Sequence, residues 1–142
     1  MIRNKSMKRA TLASAIVATS AMVLSIVPAH ADSTGVTATS IKLGVSTPLT
    51  GSAGLVYGKV PGAMRAYFDY INANGGVNGR KITLVIKDDQ YIPTTAVAKA
   101  NELILKDKVF ALVGTLGTAS TKAISASTQL AKRGIPSLFV NT

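Results

Sequence analysis

"VFALVGTLGTASTKA", residues 109–123, decides the fold. Five apolar residues, 109–113, run without alternation, which is how a strand covered on both faces reads. Gly114 and Gly117 then frame a short polar turn, and Thr118, Ser120 and Thr121 precede a helical pattern over 121–132. This is a strand entering a helix through a glycine-rich turn. The turn holds no acid, base or thiol. It offers backbone amides and hydroxyls, and the unpaired amides at a helix start carry partial positive charge that suits a carboxylate. The same residues would also serve a plain turn and helix cap, and both readings stay open at this point.

The same alternation extends outward from this unit. Residues 41–46, "IKLGVS", place Ile41, Leu43 and Val45 at every second position and read as a strand. A Gly- and Pro-rich loop covers 47–62. From Pro61 a helix places Met64, Tyr67, Phe68 and Ile71 on one face, with Arg65, Asp69 and Asn72 opposite. "NGGVNG" (74–79) ends it, because Gly and Asn tolerate positive φ. "KITLVIK" (81–87) is a second strand, followed by a turn over 88–93. Thr94 or Thr95 can cap the next helix, whose inward residues are Val97, Ala100 and Ile104, with Leu103 beside them. After the third strand, the helix over 121–132 turns Ala123, Ser127, Leu130 and Ala131 inward. Lys132 and Arg133 suit its negative end and Gly134 stops it. "SLFV" (137–140) begins a fourth strand. Tyr67, Phe68 and Phe110 are read as core.

Strands and helices in alternation imply an α/β fold: an open, mostly parallel sheet with right-handed crossovers and helices on both faces. In such sheets ligands sit outside the carboxyl ends of the strands. Four segments meet there: 47–57, 88–91, 114–120 and 141–142.

The chain has 142 residues, a formal charge of +10, one His and no Cys or Trp. Its first ten residues carry Arg3, Lys5, Lys8 and Arg9, then a small, apolar run extends over 10–27, then "PAHAD". This is the pattern of a cleavable signal peptide, residues 1–31, with cleavage expected after Ala31; a membrane anchor is the alternative. Residues 32–40 read as a flexible leader, and 41–142 as the folded unit. Removing 1–31 takes four of the sixteen basic residues and none of the six acidic ones, leaving a formal +6. The remaining cations are dispersed and no aromatic residues interleave with them, which argues against nucleic acid as a partner. The lone His30 falls in the removed segment, so neither a metal site nor an imidazole base is expected, and no cofactor. Without Cys, disulfides and N-terminal lipidation are excluded, and export would release a soluble protein.

Nucleotide motifs fail: "GTLG" is not G-x-G-x-x-G, and Gly58-Lys59 is followed by Val60 rather than Ser or Thr. Asp88 and Asp89 are neighbours on a strand and point to opposite faces, so they read as a solvated strand end rather than a catalytic pair. With no nucleophile–base pair and no phosphate loop, an enzyme is not expected.

The stretches "IKLGVSTPLTGSAG", "INANGGVNGRKI", "DDQ" and "VGTLGT" together resemble the type I periplasmic binding proteins, in particular the leucine/isoleucine/valine-binding branch of ABC-transporter receptors. The resemblance covers 41–142 and corresponds to the amino-terminal lobe of such a protein; a truncated reading frame, or one piece of a longer protein, is therefore expected. It implies binding of a small amino acid or amide-like solute, delivered to ABC permease subunits in the membrane from the periplasm or cell exterior. It implies that Gly117, Thr118 and Ala119 hold an α-carboxylate, that Tyr57 forms an aromatic wall, and that Asn141 and Thr142 lie at or just before the residues that bind the α-amino group. Some relatives carry a disulfide in this lobe; here Tyr91 and Gly117 stand near those places. A receptor's ligand-sensing ectodomain and a non-functional remnant are the rival readings.

Overall fold

The computed structural model describes residues 34–142; the expected signal peptide and its cleavage point lie outside the described residues. The element order is β1 (Ser40–Thr47), α1 (Gly54–Tyr57), α2 (Val60–Ala73), β2 (Lys81–Asp88), α3 (Pro93–Asn101), a π-helical turn (Glu102–Lys106), β3 (Ala111–Val113), α4 (Thr118–Ser125), α5 (Thr128–Arg133) and β4 (Ser137–Leu138). The four strands form one sheet in the order β2-β1-β3-β4, parallel throughout. The expected α/β sheet with helices on both faces is present.

Strand alternation splits the core in two. Leu112 of β3 packs with Ala96, Ala100, Leu103, Ile104, Val109, Ile124 and Leu130 on the face covered by α3, the π turn and α4. Val45, Leu84 and Val113 point the other way, towards Met64 and Phe68 of α2. Leu103, Val109 and Leu112 are fully buried, each stabilising by about 1.5–3 kcal/mol.

Several expectations are corrected. Tyr67 is 62% exposed and Phe110 is 37% exposed, so neither belongs to the core. Asn72 faces inward: its side chain donates to Ile82 O (2.8 Å) and accepts from Ile82 N–H (2.7 Å), clipping the outer edge of β2. Neither Thr94 nor Thr95 caps α3; Ile92 is the N-cap and Pro93 starts the helix, a position where its missing N–H costs nothing. The helix expected over 121–132 starts earlier and breaks after Ser125. Ser125 and Ser127 flank the break, and hydroxyl side chains compete with the helical backbone for hydrogen bonds. Ser120 and Ile124 are the buried residues of α4, and after the break Ala131 is exposed. Part of the expected flexible leader is folded: Val36 pairs antiparallel with Ile41, and Lys42 N–H donates to Gly35 O.

Candidate functional site

The carboxyl ends of the strands converge on a rim made of linked turns. Asp88 closes β2 and gathers the β1 loop, accepting from Leu49 N–H, Thr50 N–H and the Thr50 hydroxyl, as well as from Gln90 N–H. Burial pushes its carboxyl upward, but these donors together hold it below the usual carboxylate range. Asp89, fully buried, accepts from the Ser46 hydroxyl (2.9 Å) and from Tyr91 N–H (3.0 Å). Desolvation raises its pKa, against the lowering effect of those two donors, and the Asp88 charge adds to the rise. The two acids share no hydrogen-bond partner, and the expected solvated strand end is instead a pair of anchors.

The turn that Asp88 and Asp89 hold is strained. Gln90 and Tyr91 have φ of 57° and 65°, a left-handed region that costs a side-chain-bearing residue about 1–2 kcal/mol. It is stabilised by the two carboxylates and by Gly51, which lies against Gln90 O. Its outcome is the placement of the Tyr91 ring over Gly117. A Cβ at Gly117 would stand 2.6 Å from Tyr91 Cε2. Gly117 has φ 97° and is the N-cap of α4.

The sequence-predicted site residues fall on this rim. Gly117 N–H donates to Asn141 O (2.8 Å), and Asn141 N–H donates to Thr115 O (2.9 Å), so these segments are joined as a short parallel bridge. The Gly117 amide is therefore committed within the chain. The first intrahelical bond of α4 is Thr121 N–H to Gly117 O. The amides of Thr118, Ala119 and Ser120 precede it and are the ones a helix start leaves without an intrahelical partner. Thr118 and Ala119 are exposed, and α4 has no acidic residue in its first turn, so no side chain of that turn neutralises its partial positive charge. Flanking this turn, the buried hydroxyls of Thr115 and Thr121 lack a hydrogen-bond partner, which leaves polar capacity for water or a ligand. Thr142 is exposed beside Asn141. Tyr57 ends α1 and is 37% exposed; it belongs to the β1 loop, tied to the other residues through Asp88 and Gln90. The sequence places Thr121 and the segments 88–91 and 114–120 at this end of the sheet, but it does not show the hold of Asp89 on Tyr91 or the contact of Tyr91 with Gly117.

A separate groove of about 410 Å³ lies between α2 and β2, lined by Arg65, Phe68, Asp69, Asn72, Lys81 and Leu84. Among the described residues, no three His, Cys, Asp or Glu are grouped to hold a metal ion, and no helix is long and apolar enough to cross a membrane. The rim gathers first-turn amides and hydroxyls, the groups that hydrogen-bond an anion at a helix start.

The model of the family described as "Periplasmic binding protein" matches residues 40–142. An amino acid binding protein of Pseudomonas aeruginosa is 46% identical over 84 residues, which cover 57% of this chain and 22% of that one. The branched-chain amino acid transporter substrate binding protein LivJ of Streptococcus pneumoniae, solved in complex with isoleucine, superposes with a TM-score of 0.65 at 28% identity, over 72% of this chain and 34% of that one. A fatty acid ABC transporter substrate-binding protein of Thermomonospora curvata superposes with a TM-score of 0.64 at 30% identity, over 74% and 27%. The chain thus spans about a fifth to a third of the length of these relatives. The parallel sheet, the glycine-capped turn after β3 and the match across all of β1–β4 lead to one assignment: the chain belongs to the periplasmic binding protein family.

Proposed function

We propose that the rim formed by 88–91, 114–121 and 141–142 is one wall of a solute-binding site, and that the chain serves an ABC importer as its extracytoplasmic receptor. The solute is a small amino acid or a related carboxylate. The observation that carries this reading is the start of α4: a buried glycine cap, free first-turn amides and no acidic side chain beside them. Isoleucine and a fatty acid, the ligand classes named for two solved relatives, share a carboxylate and little polar chemistry besides. Thr118 supplies a hydroxyl at that turn, and Tyr57 supplies an apolar surface from the β1 loop. The role is binding without bond-breaking. Export rests on the signal-peptide pattern of 1–31, with cleavage after Ala31, and the partners are the permease subunits. Alone, one wall makes only part of the contacts while ordering and desolvation costs remain, so affinity for this chain is weak.

The test is a titration of the 15N-labelled chain with L-valine and, separately, with L-valinamide, which lacks the carboxylate. The amides of 118–121 are expected to shift with valine and to respond far less to valinamide. Equal responses, or shifts confined to other regions, would overturn the proposal.

A further inference from the structure

The contact between Tyr91 and Gly117 is unusual for its cost. Two successive residues with side chains, Gln90 and Tyr91, adopt positive φ. A fully buried carboxylate, Asp89, is committed to holding Tyr91 N–H. A third residue, Gly117, cannot carry a Cβ, because the ring occupies that space. The ring edge formed by Cδ2, Cε2 and Cζ lies within 3.4 Å of that position. Tyr91 nevertheless remains 43% exposed, so burial of the ring does not account for the arrangement. The strained turn, the buried acid and the missing Cβ all serve to keep an aromatic plane against the residue that caps α4.

We infer that Tyr91 is a positioning residue of the candidate site: its ring, clamped over Gly117 by the turn that Asp89 holds, fixes the direction in which the Thr118 and Ala119 amides face. The inference rests on the reading of that helix start as a carboxylate site. Gly117 has φ 97° and ψ 127°, and a glycine there is free to move to other conformations unless something restrains it. Three restraints act on it: its N–H is bonded to Asn141 O, its carbonyl accepts from Thr121 N–H, and the edge of the Tyr91 ring stands against the position a Cβ would take. Preorganised donors bind an anion more tightly because less ordering is left for the moment of binding.

Two readouts separate this role from a general contribution to stability. Without ligand, 15N relaxation of the chain is expected to show Thr118 and Ala119 ordered in the parent protein, loosened in Tyr91→Ala and ordered again in Tyr91→Phe. Gly117→Ala, which places a methyl group 2.6 Å from Cε2 and also puts a side chain on a backbone with φ 97°, is expected to loosen the same amides. With L-valine, Tyr91→Ala is expected to bind about fivefold more weakly and Tyr91→Phe within about twofold of the parent, as loss and retention of preorganisation require. The ring also predicts a ring-current displacement of the Gly117 Hα resonances in the unaltered chain from the values of an unstructured glycine, a measurement that stands if a variant fails to fold. Absence of that shift, or unchanged order of Thr118 and Ala119 in folded Tyr91→Ala, would overturn the inference. A parent chain whose 118–121 amides ignore valine while the ring shift and the loss of order are both observed would overturn the carboxylate site and leave the positioning contact standing.

Discussion

The two faces of the sheet are packed to different depths. Beneath α3, the π turn and α4, eight buried apolar residues form one cluster. There the helix comes so near the sheet that a Cβ on Gly44 would meet Leu103 Cδ2 at 3.0 Å and Val109 Cγ1 at 3.1 Å. On the other face α2 lies alone. The apolar cluster there has three buried members, Val45, Leu84 and Val113, with Met64 and Phe68 half covering them, while Tyr67 and Tyr70 stand largely in solvent. The difference maps onto the rim. The turns carrying Tyr91, Gly117 and Thr118 open α3 and α4, on the deep side. Tyr57 lies in the segment leading into α2, on the shallow side. A dense, interlocked core resists displacement, whereas segments with few buried contacts open at low cost. The first-turn amides of α4 are thus mounted on the deeply packed half of the sheet and Tyr57 on the shallow half.

Truncation of the two apolar layers tests this contrast most strongly. Leu103→Ala is expected to lower the unfolding free energy by about 3–4 kcal/mol in urea titrations, and Phe68→Ala by about 2 kcal/mol because its site is only partly buried. Equal losses would break the comparison. Glycine substitutions sharpen it with opposite signs. Gly44→Ala is expected to cost about 1–2 kcal/mol through overpacking against Leu103 and Val109. Gly62→Ala, within α2 where nothing lies within 4 Å of the added carbon, is expected to gain about 0.5–1 kcal/mol of stability.

The smallest expected effect is in pH dependence at the boundary between the faces. Asp88 is depressed in the folded state, so its contribution is present above the ordinary value of 3.8 and is lost as pH falls through its lowered pKa. Asp89 is raised, so its contribution is complete below 3.8 and is lost as pH rises through its elevated pKa. Urea midpoints measured from about pH 3 to 6 should therefore lose part of their rise in Asp88→Asn and part of their fall in Asp89→Asn. The same change in both variants would show that the two carboxylates do not work in opposite directions.

Local pattern carried the architecture. Alternating Ile41, Leu43 and Val45, the unbroken run 109–113, and glycines after helices each report how a segment meets its cover or its end, and the parallel sheet follows from their order. What local pattern misses is the extent of that cover. Tyr67 satisfies the helical period of α2 but faces no partner beyond Phe68, whose ring centroid is 6.2 Å away. Phe110 is second in the apolar run 109–113, yet its N–H pairs with Lys42 O before β3 starts and its side chain is 37% exposed. Within the candidate site, glycines and hydroxyls at the end of β3 were legible because backbone chemistry is local there. The hold of Asp89 on Tyr91, and of Tyr91 on Gly117, depends on two turns brought together by the β2-β1-β3 order. Positive φ at Gln90 and Tyr91 has no compositional mark, since neither is a residue type that favours it.

The clip between Asn72 and Ile82 also bears on how the sheet can be extended. One carboxamide meets both the donor and the acceptor of an outward-facing strand residue, standing in for the neighbour that β2 lacks. A strand arriving on that border would have to evict it and expose two backbone groups before gaining any of its own bonds. On the opposite border Leu138 of β4 and Phe139 just after it are 43% and 86% exposed. The border beside β2, by contrast, is guarded by the lobe's own side chain, without help from any added strand.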